Sequence, residues 1–449
     1  MVAGAASQAA FAALPIQQWT QPSGARVYLV ESPSIPMVDV QIDFDGGGRR
    51  EPAGKAGLAS NAADMVEHGI RARDAQRGGP AGPYDQALDE NQLGEAWADL
   101  GGGFSGSAGS DRMSFTLRSL TYPDLLPRAV ALASRQLGEP SFPPEVWERE
   151  RARMSASIRE ANTRPGTIAG KAFWPAVYGN HPYGWDVTEP TLAAISVEDM
   201  RAFYFRHVEP CRAKVSIVGA VSRAQADQLA TALLSRLPAA ASGHCEPLPP
   251  VAEVPPLTAP ANIAIPFASA QAHVLIGQPG YKRSDPDFFP MLVGNYVLGG
   301  GGLISRLSQE VREKRGLSYS VYSGFSPGLH AGAFTVGLQT RPDQAAQAMQ
   351  VAREVLARFV AEGPTQAELK AAKDNLIGGF ALRIDSNRKL LDNVASIAWN
   401  DLPLDYLDTW TQRLAQVSVA DVRAAFARKL QPDRMVTVTV GAQSPSASR

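Results

Sequence analysis

Two stretches of this chain are copies of each other. Ile195–Gly219 reads ISVEDMRAFYFRHVEPCRAKVSIVG and Val417–Gly441 reads VSVADVRAAFARKLQPDRMVTVTVG. They align without a gap, 222 residues apart, and 10 of the 25 positions are identical. Each copy reads as a helix, a proline turn and a strand, and two unrelated domains would not share such an ending. The pattern predicts a tandem duplication. A length of 449 residues suits two domains rather than one core. Residues 236–260, with PLPPVAEVPPL at their centre, are proline-rich and read as the connection. The expected division is a tail over 1–19, a first domain over 20–235, the linker over 236–260 and a second domain over 261–445.

Within the first half, Arg26–Glu31 reads as a strand, and Val38, Val40, Ile42 and Phe44 alternate as a second. Met113 to Leu117 and Val215 to Val218 read as further strands. A helix is expected from about Ala56, with Leu58, Ala62, Met65 and Val66 on one face. A longer one follows Ser141 and carries Trp147, Met154 and Ile158. Residues 72–85 read as a glycine- and proline-rich surface loop. Alternating rather than continuous apolar strands favour α+β layers with largely antiparallel sheets over a doubly wound parallel sheet.

A hydrophobic content of 45% with 19% charged residues describes a folded chain. A net charge of −1 with mixed signs gives no face for nucleic acid and no polybasic membrane signal. The first 14 residues, MVAGAASQAAFAAL, lack the basic and apolar regions of an intact signal peptide. They read as a mature exported N-terminus or a frayed end. Small residues there and an alanine-rich composition point to a periplasmic or otherwise exported chain, with a cytoplasmic one left open. Cys211 and Cys245 form neither a C-x-x-C nor a disulfide framework, and read as two unpaired thiols.

The stretch Leu298–Tyr322, LGGGGLISRLSQEVREKRGLSYSVY, carries the most chemistry. Gly299, Gly300, Gly301 and Gly302 break an apolar segment, Ser305 reads as a helix N-cap, and Leu303, Leu307 and Val311 keep helical spacing. The helix stops at Gly316, and Leu317–Tyr322 reads as a strand. Arg312 and Tyr319 thus stand where two side chains can converge on one cleft. The plain alternative is a glycine cap, a surface arginine and a core tyrosine. The glycine run is followed by no Lys-Ser/Thr and is not a phosphate loop; it reads as a hinge or a substrate contact.

The string SRLSQEVREKRGLSYSVYSG resembles the second half of pitrilysin-like (insulinase-type) zinc metallopeptidases. The resemblance implies that Arg312 and Tyr319, seven residues apart, grip substrate backbone beside the scissile bond. It also implies two similar α/β-sandwich domains forming half of a clamshell, and it extends over residues 20–443. An active member carries H-x-x-E-H on a helix of the first half, for two zinc ligands and the general base. Here GGGRREPAGKAGLA leads into that helix, and the motif positions hold Ser60, Ala63 and Asp64. ERERARMSASIRE resembles the third-ligand helix, with Ser157 at the ligand position and Glu150 at the family's other carboxylate. Alanine cannot take a proton from water, and serine is a poor zinc ligand.

Asp64, Glu67 and His68 recreate the spacing one turn later and leave a D-x-x-E-H metal site as an alternative. His181, in YGNHPYG, resembles a family loop near the substrate chamber and reads as structural; His207, His244, His273 and His330 form no ligand pair. The resemblance implies an inactive subunit, like the non-catalytic chain of two-subunit bacterial zinc peptidases and of mitochondrial processing peptidase. A longer glycine loop in the latter helps select substrates. No cofactor is expected on this chain. Zinc is expected on a homologous H-x-x-E-H partner, and peptides or unfolded segments as substrates. A homodimer is an option for the chain alone, while nucleic acid and membrane spans are not expected. The alternatives are a scaffold resembling the core proteins of respiratory complex III, or a weakly active peptidase.

Overall fold

The computed structural model describes residues 15–73, 84–238 and 245–442. The expected tail therefore lies largely outside the described residues, as do most of the 72–85 loop and His244. The first half runs β1 (Gln17–Thr20), β2 (Arg26–Glu31), β3 (Met37–Phe44), α1 (Leu58–Asp64), β4 (Gly69–Ile70), β5 (Leu88–Asp89), α2 (Glu90–Leu100), β6 (Gly103–Ala108) and β7 (Met113–Leu120). It continues through α3 (Leu126–Gly138), α4 (Pro144–Ala161), α5 (Pro165–Tyr178), α6 (Glu189–Ala193), α7 (Val197–His207), β8 (Lys214–Gly219) and α8 (Arg223–Leu234). The second half runs β9 (Ala261–Ile265), β10 (Ala272–Tyr281), α9 (Phe288–Asn295), β11 (Ser320–Phe325), β12 (Gly332–Thr340) and α10 (Ala345–Glu362). It closes with α11 (Gln366–Gly378), α12 (Asn387–Trp399), α13 (Tyr406–Gln416), α14 (Val419–Lys429) and β13 (Val436–Val440).

The fold is α+β. One sheet has the order β1-β2-β8-β3-β7-β6 and the other β11-β12-β10-β13-β9. Read from β6 and from β11, the two orders match over five strands, and β1 is an additional edge strand of the first sheet. Only β2 with β8 and β9 with β13 run parallel, so the parallel step falls at the same place in both. The 222-residue shift carries α7 onto α14 and β8 onto β13. It also carries the N-cap Ser196 onto Ser418, each closing a capping box with an aspartate, Asp199 or Asp421.

The halves are interlocked. The same shift carries α5 onto α12, and each of these helices packs on the sheet of the other half: α5 on β10 and β13, α12 on β8 and β3. Phe173 and Val177 of α5 are buried with Ala333, Val436 and Val438. In the reciprocal contact the Lys214 ammonium, on β8, donates to the carbonyls of Ala398 (2.8 Å) and Trp399 (2.9 Å) at the end of α12. A cation there satisfies terminal carbonyls and complements the helix dipole.

The expectation of two free thiols is overturned: Cys211 and Cys245 form a disulfide with a Cα–Cα distance of 5.8 Å. The spacing carried no signal because a tertiary return makes the bond. The linker folds back onto the turn Pro210–Arg212, where Arg212 donates to the Glu246 carbonyl at 2.6 Å, and Arg50 holds the Pro249 carbonyl. The expected helix from Ala56 begins at Leu58, and the strand expected from Leu317 begins at Ser320. GFSGSA, inside the glycine-rich run after α2, is itself a strand, β6. The glycine run also differs from expectation: α9 continues through Tyr296–Gly300 as a π turn, so the first glycines end a helix rather than open one.

Candidate functional site

The helix that would carry a zinc motif is held at its start by a carboxylate. Glu51 accepts from the amides of Gly57 (3.2 Å) and Ala59 (2.7 Å), groups that an α-helix start leaves without intrahelical partners. Burial pushes its carboxyl up from 4.5 to about 7. A raised folded-state value means the protonated form contributes stability that is complete below 4.5 and lost as pH rises through 7. Urea unfolding at pH 5 and pH 8 should show the native chain losing on the order of 2 kcal/mol more than Glu51→Gln across that window. Equal losses in both would remove Glu51 as the source.

On α1 none of the motif positions presents a metal donor set. Ser60 is exposed and its hydroxyl donates to the Gly57 carbonyl at 3.0 Å. Ala63 is 0% exposed, so the base position is sealed as well as chemically empty. Asp64 Oδ2 is 3.1 Å from His68 Nε2, and His68 Nδ1 is 3.0 Å from Glu90 Oε1. Glu90 in turn takes Arg149 Nη2 at 2.8 Å, and Arg149 Nε reaches Glu150 at 3.2 Å. The hydrogen bond to Asp64 raises the His68 pKa, and the one from Arg149 lowers that of Glu90. His68 thus stands between two carboxylates, and both ring nitrogens are engaged. Glu67 faces elsewhere, accepting the Gly106 amide at 3.0 Å. Ser157 is exposed on α4, beyond Glu150.

Among the described residues the one convergence of three His, Cys, Asp or Glu ligand atoms is Glu209, Cys211 and Cys245, whose sulfurs are bonded to each other. Among the described residues the side chains at the motif positions do not fit a resident zinc.

In the second half Arg312 and Tyr319 do meet. The Arg312 guanidinium carbon lies 5.0 Å from the Tyr319 ring centre, a cation–π distance. The tyrosine is 81% exposed, so it is no core residue. Ser305 has extended backbone and its Oγ accepts from Ser308 N at 3.4 Å, the geometry of an N-cap. The turn Ser308–Glu313 is π-helical, and the segment ends where Gly316 N returns to the Arg312 carbonyl at 2.8 Å. Leu303, Ile304 and Tyr322 are exposed in the same stretch. Gly299, by contrast, is packed against β11: a methyl on it would lie 2.4 Å from Ser323 N.

A polar cluster that motif reading missed joins the halves. Tyr183 Oη donates to Asp111 at 2.5 Å and accepts from His330 N at 3.2 Å. His181 is buried, its Nδ1 accepts from Tyr183 N at 3.1 Å, and its ring centre lies 5.1 Å from that of His330. Burial lowers its pKa. Only the tertiary fold brings 111, 183 and 330 together. His207 is buried, with Nδ1 on the Phe203 carbonyl.

Residues 194–376 match the family model described as the Peptidase M16 inactive domain. A solved structure of a peptidase M16 inactive domain from Pseudomonas fluorescens is similar at 29% identity and a TM-score of 0.87, over 96% of this chain and 98% of that one. An uncharacterized zinc protease of Streptomyces coelicolor is 28% identical over 91% of this chain and 86% of its own length. A Helicobacter pylori protein described as a non-peptidase homolog is 24% identical over 87% and 86%. The relatives thus include chains described as zinc proteases and one described as a non-peptidase homolog.

Proposed function

We propose that this chain, which belongs to the pitrilysin-like (M16) peptidase family and carries its inactive domain, is the substrate-binding subunit of a two-chain zinc peptidase. The observation that carries the reading is one of contrast. Arg312 and Tyr319 are assembled and open, while the motif positions on α1 hold a serine, a sealed alanine and an aspartate bonded to His68. The partner would bring H-x-x-E-H, its zinc and the general base. Arg312 would donate to a substrate carbonyl as negative charge develops on it, and Tyr319 would fix the register of the peptide. Substrates would be peptides or unfolded segments in extended form. The disulfide supports an exported compartment, because such bonds persist in oxidising surroundings.

The experiment is affinity purification of the chain from its native lysate with mass spectrometry of what accompanies it. A similar-sized chain carrying an intact H-x-x-E-H is the expected result. Recovery of membrane redox subunits instead would overturn the reading in favour of a scaffold. Recovery of the chain alone with stoichiometric zinc would return Asp64, Glu67 and His68 to the centre.

A further inference from the structure

The linker encloses a cavity where it folds back over the first half. The walls are the turn Gly48–Arg50, α7 and linker residues 248–251. Its volume is about 350 Å³, at the low end of small-molecule sites and enough for one ring with a short chain. The linker wall is pinned in place. The Cys211–Cys245 bond and the Arg212 contact to the Glu246 carbonyl hold its start, and Arg50 holds the Pro249 carbonyl. Leu58, Phe203 and Leu248 give the cavity an apolar side. Neither Arg312 and Tyr319 nor the motif positions Ser60, Ala63 and Asp64 line it.

Two polar groups in these walls are left over. The ion pairs around the cavity set Arg49 and Arg50 against Asp45, Arg49 also against Asp111, and Lys55 against Asp199. Four cations thus meet three carboxylates. Arg206, exposed at the cavity wall, is the cation without a carboxylate among the described residues. The second group is His207, which is 4% exposed and lines the same cavity. Its Nδ1 lies 2.8 Å from the Phe203 carbonyl, so that nitrogen carries the hydrogen and donates. Nε2 then presents a lone pair, and it has no hydrogen-bond partner among the described residues. Burial lowers the His207 pKa, with Arg206 and Arg50 adding to it and Asp45 opposing, which favours this neutral ring. The last turn of α7 suits cations at the helix dipole, which accounts for Arg206 but not for an idle acceptor on His207.

We propose that this cavity binds a small hydroxylated organic acid, its carboxylate held by Arg206 and its hydroxyl donating to His207 Nε2. An unpaired guanidinium on the exposed side and an unpaired acceptor on the buried side define the two ends of such a ligand. The apolar wall between takes its body. One surplus positive charge suits a monoanion, and the planar fork of an arginine suits a carboxylate. A buried acceptor without a partner is costly, so a ligand hydroxyl relieves a penalty that a ligand lacking one leaves in place. The site stands independently of the peptidase reading, since it uses none of the residues assigned there.

The test titrates the full chain, disulfide intact, with para-hydroxyphenylpropionate and reads binding by calorimetry. Phenylpropionate lacks the hydroxyl and para-hydroxyphenylpropionamide lacks the charge; each should bind about tenfold more weakly. Arg206→Ala should weaken the hydroxylated acid about tenfold and leave the amide where it was, because the amide never used that charge. Arg206 is exposed, so its variant should keep the native melting temperature. Ala202, exposed on α7 at the cavity wall, offers a second variant: Ala202→Phe fills the space and should abolish binding of all three probes. In spectra of histidine-labelled chain the His207 ring should shift with the hydroxylated acid and much less with phenylpropionate. Equal binding of the three probes, or binding unchanged in Arg206→Ala and Ala202→Phe, would overturn the site. Absence of binding by the hydroxylated acid at millimolar concentration would overturn the ligand class.

Discussion

Replacing Arg312 by alanine and Tyr319 by phenylalanine together is expected to lower kcat/KM of the proposed two-chain peptidase by about 10²–10³, the range for loss of one preorganised donor at a developing oxyanion. The melting temperature of the chain should stay where it was. Tyr319 is 81% exposed and Arg312 has Glu313 beside it at 3.4 Å, so neither truncation opens a cavity or orphans a buried charge. That separation of activity from stability is what distinguishes a substrate-gripping pair from surface residues. Arg312→Lys should recover little, since an ammonium presents no planar fork and stacks differently on the Tyr319 ring. Because the two side chains touch, the single variants should not sum to the double. Retained cleavage by an assembled double variant would end the proposed mechanism and leave the pair as surface chemistry.

Much of the frame was legible because it is written twice. The copies at Ile195 and Val417 carry their own caps, Ser196 and Ser418, and those local signals specify α7, α14, β8 and β13 irrespective of what surrounds them. The positions Ser60, Ala63, Asp64 and Ser157 came from the resemblance instead, which carries the family's motif over onto one helix at a time. What periodicity could not show is which sheet a helix covers. An apolar stripe states that α5 and α12 are buried on one side, but the same stripe would serve against either sheet. The Cys211–Cys245 bond and the Asp111–Tyr183–His330 contacts were hidden likewise, because each joins segments whose nearness is created by the return of the chain. Nor could spacing reveal that both ring nitrogens of His68 are already engaged by Asp64 and Glu90.

The exchange of α5 and α12 carries the largest stability prediction. Phe173 belongs to the first half by sequence, yet its ring is 0% exposed beneath the second sheet, packed with Ala333, Val436 and Val438. Phe173→Ala removes a buried ring from a close-packed site and should cost about 3–5 kcal/mol, read as a lowered urea midpoint at an unchanged slope. The location of the damage is more telling than its size. Hydrogen exchange in the variant should accelerate first in β10 and β13, far along the chain from the substitution, because those strands lose the cover that α5 provides. Phe359→Ala offers the comparison, an equally buried ring on α10 that packs within its own half. A deficit below about 1 kcal/mol, or exchange rising only in β2, β3 and β8, would mean that the halves are merely adjacent. If instead β10 and β13 open, each half depends on a helix encoded in the other. Truncation at the linker would then leave two sheets each lacking a cover, and the duplicated halves would have to be made and folded as one chain.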